Sequence, residues 1–269
     1  MDATTAGVTE RDFVLVSDVV MEFGSGPAKV VALDHVTLNF TKGDFVCIVG
    51  PSGCGKTTML QTLAGFLHPT SGTVTLSGKP ITGPGPDRGV VFQQPGLYPW
   101  MTVQGNAAFG PSVRGMPKAE TMEIVEQYLR VTGLWSFRKR YPYELSGGMQ
   151  QRLAIVRALV NHPVVLLMDE PFGALDALTR EKMQEELHAV WRRTGMTIMF
   201  ITHSVEEAVY LGTEVVVMSP RPGRIVERIR APFAGHAGEH DIRAVKASPD
   251  FVTMREQVLN LIWGMEHHG

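Results

Sequence analysis

The feature that most constrains this chain is a glycine-rich loop at residues 50–57, with the sequence GPSGCGKT. The loop matches the phosphate-binding pattern G-x-x-x-x-G-K-[ST]. It lies between an apolar run at residues 45–49 and a helical pattern that begins at Thr58. Glycines let the backbone curl until successive N–H groups point at one centre, and the following helix adds its positive end. The sequence therefore predicts a strand–loop–helix unit that binds nucleotide phosphates.

Each residue of this loop is a candidate phosphate ligand. We expect Lys56 to reach the β and γ phosphates and the Thr57 hydroxyl to bind Mg²⁺. Cys54 lies close to Lys56 and to a helix N-terminus, and both favour a thiolate. We therefore expect alkylation of Cys54 to inhibit the protein and bound nucleotide to protect it; the alternative is a small, inert filler. The candidate ligands are Gly50, Pro51, Ser52, Gly53, Cys54, Gly55, Lys56, Thr57 and Thr58.

Short apolar, β-branched runs alternate with helical patterns along the chain. This alternation predicts an α/β fold: a P-loop NTPase core with a mainly parallel sheet, a small antiparallel β subdomain and an inserted α-helical subdomain at about residues 95–162. In the insertion, Met122, Val125 and Leu129 share one helical face. We predict core strands at 45–49, 89–92, 164–168, 197–202 and 214–218, and antiparallel strands at 73–77 and 224–229.

The chain divides into a main domain, residues 12–235, and a tail, residues 236–269. The tail opens with a Gly/His-rich linker and then reads Ser-Pro-Asp from Ser248, which predicts the start of a helix. Its apolar face either docks on its own domain or binds a partner, and periodicity alone does not separate these two interpretations.

Charge and cysteine content exclude several classes of protein. The chain has 25 Lys and Arg against 27 Asp and Glu, a net charge of −2, whereas nucleic-acid-binding domains are usually basic. We therefore expect no nucleic-acid partner. Two cysteines in 269 residues are too few for a disulfide scaffold and fit a reducing compartment.

No apolar run approaches the about 20 residues of a spanning helix, and no signal peptide is visible, so we expect any membrane association to come through a partner.

A pair of carboxylates, Asp169 and Glu170, follows the unbroken apolar run at residues 164–168. Such a run is typical of a strand buried on both faces, and ligands of open α/β sheets bind at the carboxyl ends of such strands. We expect Asp169 to hold Mg²⁺ and Glu170 to polarise the attacking water. The alternative is a helix N-cap pair before Pro171.

The motif at residues 145–152, LSGGMQQR, stands just before a helix predicted at 153–160. A serine before two glycines at a helix start makes a second anion-binding nest, which suggests two chains that share nucleotides. At this motif the chain resembles the ATP-binding cassette (ABC) ATPases, whose signature is Leu-Ser-Gly-Gly-Gln. Met149 departs from the fifth position, and we expect little effect because the serine and the glycine amides make the phosphate contact.

The resemblance covers about residues 12–230 and assigns further roles. It implies that Phe23 stacks on adenine, that Gln93 touches Mg²⁺ and the water, and that His203 contacts the γ phosphate; Phe23 is alternatively a core or loop aromatic. Residues 174–176 match the D-loop, which includes Asp176. The implied ligands are ATP and Mg²⁺. The implied catalytic set is Lys56, Gln93, Glu170 and His203, the metal set is Thr57, Gln93 and Asp169, and the set acting on the partner's ATP is Ser146, Gly147 and Gly148.

Two stretches, residues 83–93 and 170–180, are similar to the nitrate/sulfonate/taurine/bicarbonate importers, and the first of them, with residues 248–256, looks like the taurine branch. The resemblance implies an ATPase subunit of a bacterial importer at the cytoplasmic face of the inner membrane. Two copies would sit beneath two integral membrane permease subunits, and an extracytoplasmic solute-binding protein would deliver taurine or another small sulfonate. Nitrate, bicarbonate and a vitamin precursor are alternative solutes. A soluble ABC ATPase and a P-loop kinase are alternative functions.

Overall fold

The computed structural model describes residues 12–173, 175–235 and 241–266. The strands are β1 (Val14–Phe23), β2 (Val30–Phe40), β3 (Phe45–Val49), β4 (Ser71–Leu76), β5 (Lys79–Pro80), β6 (Arg88–Val91), β7 (Val165–Asp169), β8 (Thr197–Ile201), β9 (Glu214–Met218) and β10 (Ile225–Arg230). The helices are α1 (Lys56–Ala64), α2 (Val103–Val113), α3 (Lys118–Val131), α4 (Gly147–Leu159), α5 (Ala177–Thr194), α6 (Val205–Leu211), α7 (Ile242–Lys246) and α8 (Pro249–Glu266).

The strands form two sheets. The larger has the order β10-β9-β3-β8-β7-β6, in which β10 alone runs antiparallel to its neighbour. The smaller is antiparallel, with the order β2-β1-β4-β5. The predicted fold class, an α/β core with a small antiparallel sheet and an inserted helical region, is confirmed, and α2, α3 and α4 lie between β6 and β7 along the chain.

The larger sheet separates two apolar layers. On β3, Phe45, Cys47 and Val49 face the layer that contains α4, α5 and α6, whereas Val46 and Ile48 face the layer that contains α1 and the antiparallel sheet. All five side chains are fully buried. Burial on both faces explains why the central strands β3, β7 and β8 read as continuous apolar runs and were predicted to within one residue at each end.

The sequence analysis did not predict β1 and β2, the long strands of the smaller sheet. Their alternation is broken at Asp18 and His35, which adopt positive φ angles of 50° and 52°. The pairing register shifts around these positions, and His35 Nδ1 lies 2.7 Å from Asp18 Oδ1. An irregularity of this kind hides the period of two on which strand prediction depends.

The start of α4 was predicted too late. The helix begins at Gly147 rather than near residue 153, so the signature glycines form its first turn. Ser146 is the N-cap, and its Oγ accepts a hydrogen bond of 3.3 Å from Met149 N. The capping serine and not the first apolar residue defines the start of this helix.

The C-terminal helix docks on its own chain. α8 begins at Pro249, as predicted, and Phe251 and Val258 are fully buried. The ring of Phe251 packs edge-on against Phe233, with 5.1 Å between centroids. α7 was not predicted, and residues 236–240 of the predicted linker lie outside the described residues. None of the described helices is long and apolar enough to cross a bilayer.

Candidate active site

A cavity of about 510 Å³ opens at the carboxyl ends of β3, β7 and β8. Parallel strands bring their carboxyl ends to one edge, so residues far apart in sequence meet there. The lining residues are Phe23, Val30, Ala32, Ser52, Gly53, Gly55, Lys56, Thr57, Thr58, Glu170, His203 and Arg221. Most of the predicted nucleotide ligands therefore surround one space.

The phosphate loop is tightly constrained by its neighbours. A Cβ at Gly50 would lie 2.6 Å from Met218 O, and one at Gly55 would lie 2.8 Å from Ala32 O. Gly55 also has a positive φ of 95° and is the N-cap of α1. Glycine is required at both positions because any side chain would collide with backbone.

Lys56 folds back across the loop that precedes it. Its Nζ donates to Gly50 O at 2.8 Å and to Pro51 O at 3.0 Å, and the residue is only 5% exposed. A buried ammonium needs such acceptors. The lysine is thus held at the loop, at the edge of the cavity, by the backbone of the loop itself.

Cys54 lies behind the phosphate loop and not on its accessible side. Its side chain is fully buried, and its Sγ is 3.7 Å from Lys56 Nζ. It packs in the apolar layer beneath the larger sheet. This burial favours the small inert filler over the reactive thiolate, because an alkylating reagent needs access to the sulfur.

Asp169, the last residue of β7, faces the start of α1. Thr57 Oγ1 donates to Asp169 Oδ1 at 3.3 Å. Burial raises the pKa of Asp169 above its ordinary value, while the Thr57 hydrogen bond and the charges of Lys56 and His203 oppose this shift. A hydroxyl and a carboxylate side by side are oxygen donors of the kind that Mg²⁺ prefers, with substrate phosphates completing the set. No cluster of three or more His, Cys, Asp or Glu side chains suited to a metal occurs in the described part of the chain.

Glu170 is the meeting point of three strand ends. His203 Nε2, after β8, lies 2.5 Å from Glu170 Oε1, and Gln93 Nε2, after β6, donates to Glu170 Oε2 at 3.4 Å. The backbone of Glu170 has a φ of +46°, held by hydrogen bonds from its N to Ile201 O and from Gly173 N to its O. The structure thus brings together three of the four predicted catalytic residues through direct contacts.

The signature residues Ser146, Gly147 and Gly148 are not among the residues that line this cavity. Ser146 and Gly147 are exposed, and a Cβ at Gly148 would lie 3.0 Å from Thr179 Cγ2. Thr179 belongs to the first turn of α5, whose N-cap is Asp176; Asp176 Oδ1 accepts from Thr179 N at 3.0 Å, and hydrogen bonding to Thr179 lowers the pKa of Asp176. The signature and Asp176 thus form a second surface; Ala174 of the D-loop match lies outside the described residues.

Sequence reasoning missed three residues that line the cavity: Val30, Ala32 and Arg221. Val30 pairs with Phe23 across β1 and β2, so the aromatic wall of the cavity depends on strands that were not predicted. Arg221 lies between the prolines that follow β9, and its Nη2 would be 3.6 Å from a Cβ at Gly53. A cation after a strand that neighbours β3 is the signal that could have identified Arg221.

The chain is similar to several known proteins. The family model described as "ABC transporter" matches residues 33–173. The chain is 54% identical over 237 residues to the taurine import ATP-binding protein TauB of Roseobacter denitrificans, covering 88% of each chain. It is 46% identical over 250 residues to the protein of the same name in Escherichia coli O157:H7, covering 92% of this chain and 96% of that one.

Solved structures show the same fold. The ATP-binding cassette MJ0796, in a dimeric post-hydrolysis state bound to ADP and Pi, aligns with a TM-score of 0.72 and 31% identity, over 81% of this chain and 98% of that one. The cbiO1 protein of Clostridium perfringens, described as part of the ABC transporter complex cbiONQ, aligns with a TM-score of 0.75 and 26% identity, over 92% of this chain and 99% of that one.

Proposed function

This chain belongs to the ABC transporter family, and from that premise we propose that it is the ATP-hydrolysing subunit of an importer for taurine or a closely related sulfonate. The observation that carries the ATPase part is that Lys56, Thr57 and Glu170 line one cavity, with Asp169 hydrogen-bonded to Thr57. The importer part is supported by relatives that are named as taurine import subunits.

ATP binding uses groups that the structure already holds at the cavity. The backbone N–H groups of the phosphate loop and the start of α1 receive the phosphates, and Lys56 exchanges its contacts with Gly50 O and Pro51 O for phosphate oxygens. Phe23 is 42% exposed at the cavity wall, so its ring is available to stack on adenine. Arg221 adds a second cation at the rim.

Thr57 and Asp169 are the residues that would hold Mg²⁺, together with Gln93, whose side chain contacts the neighbouring Glu170. The bound metal supplies neutralisation of the charge on the phosphates. Asp169 must be ionised for this role, and Thr57 and Lys56 favour its charged form against the effect of burial.

Glu170 acts as the general base. Its carboxylate takes the proton of the attacking water. In this structure, Gln93 and His203 contact its two oxygens. When ATP is bound, His203 exchanges its contact with Glu170 for the γ phosphate, which frees one carboxylate oxygen to accept the proton while Gln93 contacts the other.

The complete site needs a second copy of this chain. A triphosphate in this cavity leaves the outer face of its γ phosphate open, and the exposed nest at Ser146–Gly148 belongs to another surface. A partner's nest on that face adds hydrogen bonds and expels water. The dimeric MJ0796 cassette supports this assembly. We further propose two integral membrane permease subunits above the dimer, an extracytoplasmic solute-binding protein, and a peripheral position on the cytoplasmic face of the inner membrane.

Uptake in cells tests the proposal. Cells that lack this chain should not accumulate radiolabelled taurine; the wild-type chain should restore uptake, and Glu170→Gln should not. Excess unlabelled nitrate or bicarbonate should leave the uptake unchanged, whereas unlabelled taurine should abolish it. Uptake of labelled taurine that does not depend on the chain, together with uptake of labelled nitrate or bicarbonate that does, would assign a different solute. Unchanged uptake without the chain would remove it from transport.

A further inference from the structure

A buried carboxylate, Glu207 of α6, lies directly behind the loop that carries His203. Glu207 is 5% exposed, and its Oε2 accepts a hydrogen bond of 2.5 Å from Thr202 Oγ1. Thr202 Oγ1 in turn accepts from Ser204 N at 3.0 Å. Since Thr202 and Ser204 flank His203, Glu207 fixes the backbone on both sides of the histidine.

Glu207 also faces the segment that precedes Asp176. Arg180 Nε lies 3.5 Å from Glu207 Oε1, and Arg180 Nη2 donates to Leu175 O at 2.8 Å. One carboxylate therefore lies between the His203 loop and the D-loop segment, the two regions that face the γ phosphate and the partner copy in the proposed assembly.

A third contact of Glu207 leads to the C-terminal segment. Gln184 of α5 is 1% exposed, and its Nε2 donates to Glu207 Oε1 at 3.2 Å. Its Oε1 accepts from the Nζ of Lys246, the last residue of α7, also at 3.2 Å. A continuous polar chain thus runs from α7 through Gln184 and Glu207 to the loop of His203.

Lys246 is held firmly at the far end of this chain. Its side chain is 12% exposed; its Nζ lies 2.8 Å from Glu206 Oε1 and 5.4 Å from the centre of the Tyr210 ring. An ammonium group has donors only, so it requires the oxygen of the Gln184 amide to face Lys246 and the nitrogen to face Glu207. Without the ammonium, the oxygen of the Gln184 amide loses this partner, so the side chain is less firmly fixed and holds Glu207 less well.

We propose that Lys246 is a positioning residue for ATP hydrolysis, which holds the His203 loop in place through Gln184 and Glu207. The C-terminal segment then contributes to turnover and not only to packing. This inference rests on the proposed ATPase function, because its effect is exerted on His203. Coupling along such a network typically changes an equilibrium by a few-fold to about thirtyfold.

Arg243 provides a matched control. It lies on the same short helix as Lys246 and forms an ion pair with Glu181 of α5, at 3.5 Å. Both side chains are charged and both contact α5, but the Arg243 pair is more exposed and does not reach Glu207. A change at Arg243 therefore reports what a general loosening of α7 does.

The experiment compares kcat and KM for ATP in the full-length Lys246→Met, Lys246→Arg and Arg243→Met proteins. We expect Lys246→Met to lower kcat about three- to tenfold with little change in KM. Lys246→Arg should restore most of the rate because arginine also has donors only. Arg243→Met should match the wild type. Equal kcat values for Lys246→Met and Arg243→Met, or a loss that appears in KM alone, would overturn the proposal.

A double-mutant cycle tests the route. Thr202→Val removes the hydroxyl at the other end of the network and keeps the shape, so it should also lower kcat. The pair Lys246→Met and Thr202→Val should lose less than the product of the single effects, because both act through Glu207; independent effects would contradict this route. If Lys246→Met does not fold, Lys246→Gln replaces it, since its amide no longer dictates the orientation of Gln184. A wild-type chain without ATPase activity would instead remove the proposed function.

Discussion

The two phosphate-receiving regions of this chain differ in how they are built. In the loop at residues 50–57, Gly50, Cys54 and Lys56 are buried, and Lys56 donates hydrogen bonds to two carbonyls of its own loop. The signature nest is exposed, and the Oγ of its serine only caps the helix that follows. In the proposed assembly, the first region receives phosphates within its own chain. The second region does not line the cavity of its own chain and serves that of a second copy, so the proposed dependence on a partner belongs to the signature region.

The largest expected effect tests whether Glu170, which lines the same cavity as the phosphate loop, is the base in ATP hydrolysis. Glu170→Gln keeps the contacts to Gln93 and His203 in shape but cannot take a proton, so phosphate release should fall by about 10²- to 10⁴-fold. ATP binding should persist, and the closed dimer should remain on a sizing column. Glu126→Gln, which changes an exposed carboxylate of α3, is the control. Phosphate release at the wild-type rate would remove Glu170 from the role of base.

Mixed chains test whether the two regions serve each other across the dimer. Lys56→Ala and Ser146→Arg should each inactivate a homodimer. In the mixed dimer both lesions fall in one composite site, so the other site is intact and activity should return, up to about one site per dimer if the sites act singly. Phosphate release across mixing ratios measures this.

The control for the mixed chains is Ser112→Arg, which places an arginine at an exposed serine of α2 outside the signature. This homodimer should keep its ATPase activity. Full activity of the Ser146→Arg homodimer, or a rate per chain that does not depend on protein concentration, would contradict the proposal that two chains share each site.

A smaller effect concerns nucleotide affinity, which should depend on the cavity that contains the phosphate loop and not on the signature region. Phe23→Ala removes the exposed ring at the cavity wall and should weaken ATP binding about tenfold, because stacking of a base on an aromatic ring contributes about 1–3 kcal/mol. Phe23→Trp should retain affinity, and Phe137→Ala, at a surface ring of comparable exposure, should have no effect. Titration of the single chain with a fluorescent nucleotide measures the change. Equal affinity in Phe23→Ala would leave Phe23 as a loop aromatic.

The smallest effect is expected for thiol labelling of the phosphate loop. Because Cys54 is fully buried, maleimide should label it slowly, with or without ATP. A cysteine introduced by Ser146→Cys should label quickly in the free chain and be protected when ATP closes the dimer. Mass spectrometry separates the two sites. Fast labelling of Cys54 that ATP blocks would support the prediction of a reactive thiolate and would weaken the contrast between the two regions.

The site was more predictable than the framework around it. Lys56 and Thr57 were predicted from the phosphate-loop pattern, Asp169 and Glu170 from their place after an apolar strand, and His203 from the resemblance to ABC ATPases. The carboxyl ends of parallel strands meet at one edge of the sheet, which brings these segments together. Their roles in catalysis stay predictions. The contacts between these side chains could be predicted only in part. The 2.5 Å contact between His203 and Glu170, for example, depends on side-chain orientation, which the spacing of residues in the sequence does not determine.

The missed elements have physical causes. β1 and β2 were not predicted because Asp18 and His35 interrupt their alternation, and Val30 was missed with them. The early start of α4 was missed because glycine is a poor helix former, yet a capping serine can begin a helix there. The network from Lys246 to Thr202 joins residues from four separate segments, and no local pattern indicates it.

At position 170, the residue that the proposed turnover requires is not one of those that the backbone conformation favours. A φ of +46° suits glycine and is tolerated by asparagine, but it is unfavourable for glutamate, at a cost of order 1 kcal/mol. Exchange of this residue for glycine or asparagine should therefore make the chain more heat-resistant, but it would remove the proposed base. The fold is thus weakened at the point where the proposed chemistry takes place, and directed evolution for thermal stability alone should select against this glutamate.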